Sequence, residues 1–217
     1  FCPITVPDNK GEVGMVTILQ RNAHEWHTVT LQQSYVNPVV IVSSATTNSS
    51  YAITQRVRNA GGNTFEFQCD EWDYDNGYHP TEDYNYMVVE AGEYTLANGA
   101  KMVAANVNTP AGTNIETQVN FGSTFDSVPV VISQVGNDND NNASVTRQRD
   151  VTTTGFKLRD QEQESANQYR EGGVIHYIAI EKGVNNGSNR FEVGNTGNNQ
   201  DHNFRNTHFV QHYNTPK

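Results

Sequence analysis

The segment from Glu71 to Glu82 contains the side chains best suited to recognising a ligand. Aromatic rings, a carboxylate and an imidazole stand close together there, at Trp72, Tyr74, Asp75, Tyr78 and His79. A neutral sugar presents hydroxyl groups that bond to such polar groups and a C–H face that packs on an aromatic ring. These residues therefore predict a carbohydrate-binding loop. The alternative is that the rings form a satellite core beneath a long loop while the carboxylates face water.

Two arginines lie shortly before this loop. Arg56 and Arg58 are two residues apart, so on a strand their side chains point to the same face, and the spacing recurs at Arg147 and Arg149. One interpretation is a cross-strand arginine–glutamate pair that holds the sheet. The other gives Arg58 a direct hydrogen bond to a sugar, or to a sulfate or carboxylate on it. We therefore add Arg58 to the candidate site, with both interpretations open.

An asparagine-rich segment, residues 136–142, contains the candidate metal ligands Asp138 and Asp140. Calcium prefers such oxygen ligands. The segment does not follow the order of an EF-hand loop, and runs of Asn and Asp are also typical of turns. Calcium is therefore a weak candidate, and we expect function without a cofactor.

Catalytic motifs are missing from the sequence. It has no nucleophile elbow, zinc-protease motif, Cys-x-x-Cys pair or phosphate-binding loop. Paired carboxylates such as Glu71 and Asp75 would cleave a glycoside only if held at a defined separation across a cleft. We expect a protein that is not an enzyme, with a polysaccharide lyase or hydrolase as a remaining alternative.

The charge of the chain restricts its partners. Its 217 residues include 14 Lys and Arg against 24 Asp and Glu, which gives a formal net charge of -10. Phosphate backbones and anionic membranes repel such a chain, and no apolar run is long enough to span a bilayer. We therefore expect no nucleic-acid partner and no membrane partner.

The chain contains two cysteines, Cys2 and Cys69. It begins at Phe1 without a basic or apolar leader, so we expect any signal peptide to lie outside the sequence. In an oxidising compartment the simplest use of two cysteines is one disulfide that ties the N-terminal segment to the body. We predict a secreted protein with this bridge, and two unpaired thiols are the alternative.

An internal repeat organises the chain. Residues 38–92 match residues 129–183 without a gap, at a constant offset of 91 residues. The matched pairs include Pro38 with Pro129, Arg56 with Arg147, Phe65 with Phe156, Tyr86 with Tyr177 and Glu90 with Glu181. The pattern starts a third time at Phe209, Tyr213 and Pro216. The sequence therefore predicts two full units and a truncated third.

The apolar pattern predicts β-structure throughout. Apolar residues alternate with polar ones in segments such as residues 65–67 and 84–89, and clusters of Gly, Asn and Thr separate them. We expect an all-β protein with two tandem antiparallel β-sandwich units at residues 1–96 and 97–186. A linker and a stub of a third repeat follow at residues 187–217.

The motifs of each unit resemble those of a known family. A unit opens with an aromatic residue and a Val-x-Phe strand, continues through Phe-x-x-x-Pro-Val-Val and Arg-x-Arg, and closes on a Tyr-hydrophobic-Glu-x-Gly pattern. This resembles the H-type lectin domain of snail agglutinins and discoidins, over about residues 15–183. The tandem arrangement is similar to repeats in secreted proteins of marine bacteria. The resemblance implies a six-stranded antiparallel sandwich, threefold association and non-catalytic binding of galactose-type sugars.

These observations favour a secreted, non-catalytic carbohydrate-binding module that recognises a polysaccharide, with an algal galactan as one candidate. We expect the main site in the first unit, because Tyr169 is the one aromatic residue that the corresponding loop of the second unit retains. Self-association through the sandwich faces is a further expectation. The alternative from another class is a structural or adhesion spacer without a glycan of its own.

Overall fold

The protein is all-β, as the alternating apolar pattern predicted. The computed structural model describes residues 10–44, 46–75, 77–164, 166–185, 191–196 and 207–210. Within these residues there is no helix, and 61% of the residues lie in strands of antiparallel sheets. The described chain thus offers no long apolar helix that could cross a membrane. Cys2, Tyr213 and Pro216, which the sequence analysis singled out, lie outside the described residues.

Sixteen strands occur among the described residues. In chain order they are β1 (Gly11–Gln20), β2 (His27–Tyr35), β3 (Pro38–Ser44), β4 (Ile53–Glu71), β5 (His79–Glu90), β6 (Gly92–Thr95), β7 (Lys101–Thr109), β8 (Gly112–Thr113), β9 (Thr117–Asn120), β10 (Val130–Val135), β11 (Ser144–Arg149), β12 (Gly155–Glu162), β13 (Tyr169–Arg170), β14 (Gly173–Ile180), β15 (Gly183–Asn185) and β16 (Phe191–Val193). We call residues 10–96 the first half and residues 97–185 the second half.

Two sheets enclose the core of the first half. One has the strand order β1-β5-β3 and the other pairs β2 with β4. Side chains on alternate positions of both sheets meet in an apolar cluster that includes Phe65, Phe67, Tyr84 and Val88. The rings of Phe67 and Tyr84 lie 5.2 Å apart between centroids. The alternation in the sequence thus corresponds to one buried face of each sheet.

Strand β4 folds back on itself. The evidence is a contact between Arg58 and Glu66, which are eight residues apart in the chain. Arg58 Nε lies 2.7 Å from Glu66 Oε2, whereas eight residues of a straight strand would span roughly 26 Å. Asn59 and Gly62 have φ values of 48° and 57°, which asparagine and glycine adopt more readily than other residues. Strand β4 is therefore the counterpart of β11 and β12 together.

The second half repeats this layered arrangement. One sheet has the order β10-β14-β7-β6, and a second has the order β11-β12-β9. Their facing side chains form a second apolar cluster that includes Phe121, Phe125, Phe156 and Tyr177. The rings of Phe156 and Tyr177 meet edge to face at 5.3 Å, a favourable aromatic geometry. Aromatic residues thus fill the centre of both halves.

The strand pairing recurs at the same offset as the sequence repeat. Val39 lies opposite Val89 between β3 and β5, and Val130 lies opposite Ile180 between β10 and β14. Each member of the second pair follows its counterpart by 91 residues. The pairing of β1 with β5 likewise recurs in the pairing of β7 with β14. The equivalent strands of the two halves therefore pair in the same register.

A third apolar cluster is shared between the halves. Val39, Val89 and Tyr94 of the first half pack there with Ala104 and Ile178 of the second. Strand β6, at the end of the first half, also joins the sheet of the second half by pairing with β7. The predicted boundary at residue 96 falls inside this shared region. The domain limits at residues 96 and 186, and the stub at 187–217, therefore stay predictions.

Cys69 lies buried in the core of the first half. Its Sγ contacts the hydroxyl group of Tyr84, and burial raises the pKa of Cys69 to about 12. Gln20 holds the backbone of the same residue, since Gln20 Oε1 accepts a hydrogen bond from Cys69 N at 2.9 Å. A bridge to Cys2 would require the N-terminal segment to reach this core. Because Cys2 lies outside the described residues, the bridge stays a prediction.

Candidate functional site

A cavity of about 260 Å³ lies between the end of β4 and the segment that connects β1 with β2. We call it the Trp72 cavity. Its lining residues are Gln20, Ala23, His24, Asp70, Glu71, Trp72, Asp73, Asp75 and Gly77. Two of the six predicted binding residues, Trp72 and Asp75, therefore line one cavity. Four carboxylates and a half-buried indole ring dominate its chemistry.

Glu71 holds the loop that follows β4. Its Oε2 accepts a hydrogen bond from Gly77 N at 2.9 Å, and its Oε1 lies 2.9 Å from His79 Nδ1. Within the loop, Asp75 N donates to Trp72 O at 2.8 Å. One buried carboxylate thus fixes both ends of a tight turn, and this turn positions Trp72 and Asp75 at the cavity.

Gly77 brings this loop against the segment between β1 and β2. Its φ of 72° lies in the left-handed region, which favours glycine. A Cβ atom at this position would lie 2.6 Å from Ala23 Cβ. Both the backbone conformation and the close approach therefore require glycine. This contact closes one wall of the Trp72 cavity.

His79 is buried and is not among the residues that line the cavity. The residue is 2% exposed, and its Nε2 lies 3.6 Å from Glu82 Oε1. This corrects the sequence-based assignment of His79 to direct sugar binding. The same position of the second half holds Arg170, whose NH1 lies 3.5 Å from Glu162 Oε1. In both halves a nitrogen-bearing side chain therefore faces a buried glutamate.

The two tyrosines of the loop are exposed and do not line the cavity. Tyr74 and Tyr78 lie on the same segment as Trp72. They are placed beside the cavity and not within it. The exposure of these two rings favours a surface position over the satellite core. For the half-buried Trp72, ligand contact and packing remain alternatives.

Arg58 is not among the residues that line the Trp72 cavity, and its assignment to the same site stays a prediction. Its guanidinium carbon stands 4.1 Å from the centre of the Trp26 ring, a cation–π arrangement. Its Nε and NH1 each lie 2.7 Å from a carboxylate oxygen, of Glu66 and Asp138 respectively. The cross-strand interpretation of this arginine is therefore the one that the geometry supports. The sequence analysis missed Trp26, the other tryptophan of the chain, although it stands in a polar segment.

Arg56 connects the floor of the cavity with the second half. Its side chain is 1% exposed and its NH2 lies 2.9 Å from Asp70 Oδ2. The same side chain donates to the backbone oxygen of Asp140. Burial raises the pKa of Asp70, and the Arg56 charge opposes this shift. On the cavity side, His24 Nδ1 stands 3.7 Å from Asp70 Oδ1.

A second group of buried charges surrounds Arg170. Its NH2 lies 2.9 Å from Asp160 Oδ2, and its NH1 lies 3.4 Å from Asp140 Oδ2. Burial raises the pKa values of Asp160 and Glu162. The sequence analysis missed this group because its members converge only in the folded chain. Arg56 and Arg170 thus share Asp140 across the two halves.

The calcium candidates already face arginines. Asp138 faces Arg58, and Asp140 faces Arg170, while Asp140 Oδ1 also accepts a hydrogen bond from Asn142 N at 2.9 Å. This last bond is typical of an asparagine–aspartate turn. Across the residues that the structure describes, no group of three or more His, Cys, Asp or Glu could hold a metal ion. The turn interpretation therefore accounts for this segment, and calcium stays an untested, weak candidate.

A second cavity, of about 350 Å³, lies in the second half. Its lining residues are Asn139, Asp140, Asn141, Asn142, Asn167, Tyr169 and Glu171. We call it the Tyr169 cavity. It contains amide groups and one aromatic ring, and it is more open to solvent than the Trp72 cavity. The two halves thus carry different polar cavities on a shared framework.

Comparison with known proteins shows a similarity to a large protein. The chain is 29% identical over 216 residues to halomucin of Haloquadratum walsbyi. The aligned region covers 90% of this chain but 2% of halomucin. No family model matches the chain. No solved structure matches it significantly.

Proposed function

We propose that the chain is a non-catalytic carbohydrate-binding module with its main site at the Trp72 cavity. The observation that supports this most directly is the half-buried Trp72 ring beside Asp73 and Asp75 in one cavity. A sugar ring packs its C–H face on an indole while carboxylates accept hydrogen bonds from its hydroxyl groups. Glu71 and Gly77 preorganise this arrangement, which lowers the entropic cost of binding.

The charge of the cavity favours a neutral sugar over an anionic one. Asp70, Glu71, Asp73 and Asp75 all line it, and His24 is the one basic side chain among the lining residues. A sulfate or uronate group would be repelled by these carboxylates. Arg58, the group expected to bind such anions, stands elsewhere. The ligand class proposed is therefore a neutral polysaccharide, with a galactan as the first to test.

The resemblance to H-type lectin domains and the similarity to halomucin both support a module within a longer extracellular protein. The lectin resemblance supplies the non-catalytic, galactose-type chemistry. The chain spans 2% of the length of halomucin, which is consistent with one module among many. An extracellular location also agrees with the formal net charge of -10, because acidic surfaces keep proteins soluble and apart.

Affinity gel electrophoresis of the full chain tests this proposal. Gels containing a neutral galactan, a sulfated galactan or no polysaccharide are run side by side. We expect retardation by the neutral galactan, little by the sulfated one and none in the blank gel. Retardation by the sulfated polymer alone would contradict the charge argument. Release of reducing sugar or of an unsaturated product from either polymer would indicate an enzyme instead.

A spacer function is the second candidate, and the contact between the two halves favours it. Asp73 N, in the cavity loop, donates to Gln163 Oε1 of the second half at 2.9 Å, so the loop also serves packing. Shared cluster residues and the buried Arg56 join the same surfaces. A folded chain that no polysaccharide of a broad glycan array retains would favour this function over sugar binding.

A further inference from the structure

Strand β7 has neighbours on both of its edges, whereas its counterpart β1 has a described neighbour on one edge. Strand β7 lies between β14 and β6, and β1 lies beside β5. The two strands are equivalent, since Gly11 lies opposite Val89 and Met102 lies opposite Ile180. The open edge of β1 therefore corresponds to the edge of β7 that β6 covers.

Apolar side chains beside this edge differ in exposure between the halves. Val13 lies opposite Met87, and its counterpart Ala104 lies opposite Ile178. Ala104 is 1% exposed because the shared cluster covers it, whereas Val13 is 65% exposed. Met15, two residues further along the same face of β1, is also exposed. Strand β1 thus exposes to solvent a surface whose counterpart on β7 is buried against the first half.

A short strand pairs with the following segment at the end of the second half, as at the end of the first. Strand β15 pairs with β16 in antiparallel orientation, as β6 pairs with β7. Both donor strands begin with a glycine that follows the long central strand of their half, at Gly92 and Gly183. The last short strand of each half therefore pairs with the segment that follows it in the chain.

We propose that the open edge of β1 is a docking surface for a second copy of this chain placed ahead of it. The copy would transfer its last short strand, Gly183–Asn185, from its own β16 to β1 and cover Val13, in the manner that the first half covers β7. This is β-strand addition, in which backbone hydrogen bonds supply affinity. It also removes an exposed apolar edge, which otherwise promotes aggregation. Copies joined in this way form a head-to-tail array in which each contacts its neighbours.

The residue that a docked strand would place opposite Glu12 indicates which strand is the donor. On β7 the counterpart of Glu12 is Val103, which lies opposite Glu93 of β6. A β6 strand on β1 would therefore place two carboxylates opposite each other, which is destabilising. In β15 the position of Glu93 is taken by Val184. The better donor is the Gly183–Asn185 strand of the copy ahead.

A fused chain tests the proposal. Residues 1–191 of one copy are joined directly to residues 10–217 of another, which reproduces the spacing between β6 and β7. The fusion also removes Glu192 and Val193 of the first copy, so that β1 takes the place of β16 beside the donor. Val13→Cys in the second copy reports on the edge. Cys2→Ser, in the first copy and in the single chain, leaves the buried Cys69 as the one other cysteine of each copy. We expect maleimide to label this cysteine at least tenfold more slowly in the fused chain than in the single chain carrying Val13→Cys. Asn185→Pro in the first copy removes the backbone N–H at the position of Tyr94, which lies opposite Met102 in the β6–β7 pairing, and it should restore fast labelling.

The control is Val36→Cys, at a position that is 96% exposed and lies outside strand β1. It should be labelled equally fast in the fused and single chains. Equal labelling of Val13→Cys in both chains would overturn the proposal. Slow labelling of Val13→Cys already in the single chain would also overturn it, because the chain would then cover its own edge.

Discussion

His176 on β14 accepts a hydrogen bond at 3.1 Å from the backbone N–H of Val40 on β3, 136 residues earlier in the chain. Gln134 does the same for Val42 N, at 3.3 Å. Strand β3 lies at the edge of its sheet, so these side chains bond to backbone groups that another strand would otherwise use. Side-chain capping of an edge blocks further strand addition. The edge of β3 is therefore closed by the second half.

We expect the capping imidazole to make stability depend on pH. Burial lowers the pKa of His176 to about 4, from an ordinary value near 6.5. Between these values the unfolded chain binds a proton at this residue and the folded chain does not. The free energy of unfolding should therefore fall as the pH drops through this window, by about 2 kcal/mol at pH 4.5.

Urea unfolding of the wild type and His176→Asn at pH 7 and pH 4.5 checks this prediction. Asparagine retains an acceptor near the place of Nδ1 and is the residue at the equivalent position, Asn85, of the first half. The variant should lose less stability on acidification than the wild type. An equal loss of stability in both proteins would show that groups other than His176 cause the pH dependence.

The buried ion pair between Arg56 and Asp70 should be costly to break. Arg56→Ala leaves the Asp70 carboxylate buried without its partner, which typically destabilises a protein by about 3–5 kcal/mol. The matched control is Arg147→Ala, since Arg147 occupies the same position of the repeat but is exposed. That change should cost about 0.5 kcal/mol or less. Equal midpoints for both variants in urea unfolding would contradict the role given to Arg56.

Gly77 should tolerate alanine less well than Gly99 does. Both glycines have positive φ, 72° and 84°, so each substitution carries backbone strain of about 1 kcal/mol or more. At Gly77 the added Cβ also meets Ala23, whereas at Gly99 nothing lies within 4 Å. Thermal unfolding should show a larger fall in melting temperature for Gly77→Ala. A similar fall in both variants would show that the loop adapts without cost.

Trp72→Ala should reduce polysaccharide affinity while leaving the fold stable. By analogy with base stacking on aromatic rings, the loss should be roughly 1–3 kcal/mol of binding free energy. Tyr51→Ala is the control, because Tyr51 is exposed and lines neither cavity. Affinity electrophoresis and melting temperature are measured on both variants. Unchanged affinity with a loss of about 3 kcal/mol or more in stability would assign Trp72 to a satellite core instead.

Local periodicity predicted the strands but not the partners of their side chains. The alternation in residues 65–67 predicted a strand, and the offset of 91 residues anticipated the recurrent registers. Two-residue spacing also placed Arg56 and Arg58 on one face, yet one is buried and the other stacks on Trp26. Their surroundings differ because the second half covers Arg56. The residue pattern within a strand cannot predict such a contact.

The candidate site was predictable to a similar extent. The sequence identified the loop that contains Trp72 and Asp75, because aromatic and acidic residues are dense there. It could not predict that His79 turns inward to Glu71, since an imidazole is equally suited to a ligand and to a buried carboxylate. The lining residues Gln20 and His24 come from a segment about 50 residues earlier, and only the fold brings them to the cavity.

The stacking of Arg58 on Trp26 gives the chain an intrinsic optical reporter. Arg58 also bonds to Asp138 of the second half, so separation of the halves would free the guanidinium from its anchor and change the surroundings of the indole. The one other tryptophan, Trp72, lies at the cavity. With Trp72→Phe the remaining fluorescence would follow the contact between the halves, and with Trp26→Phe it would follow ligand binding. Two single-tryptophan variants would thus separate the two events without any added dye.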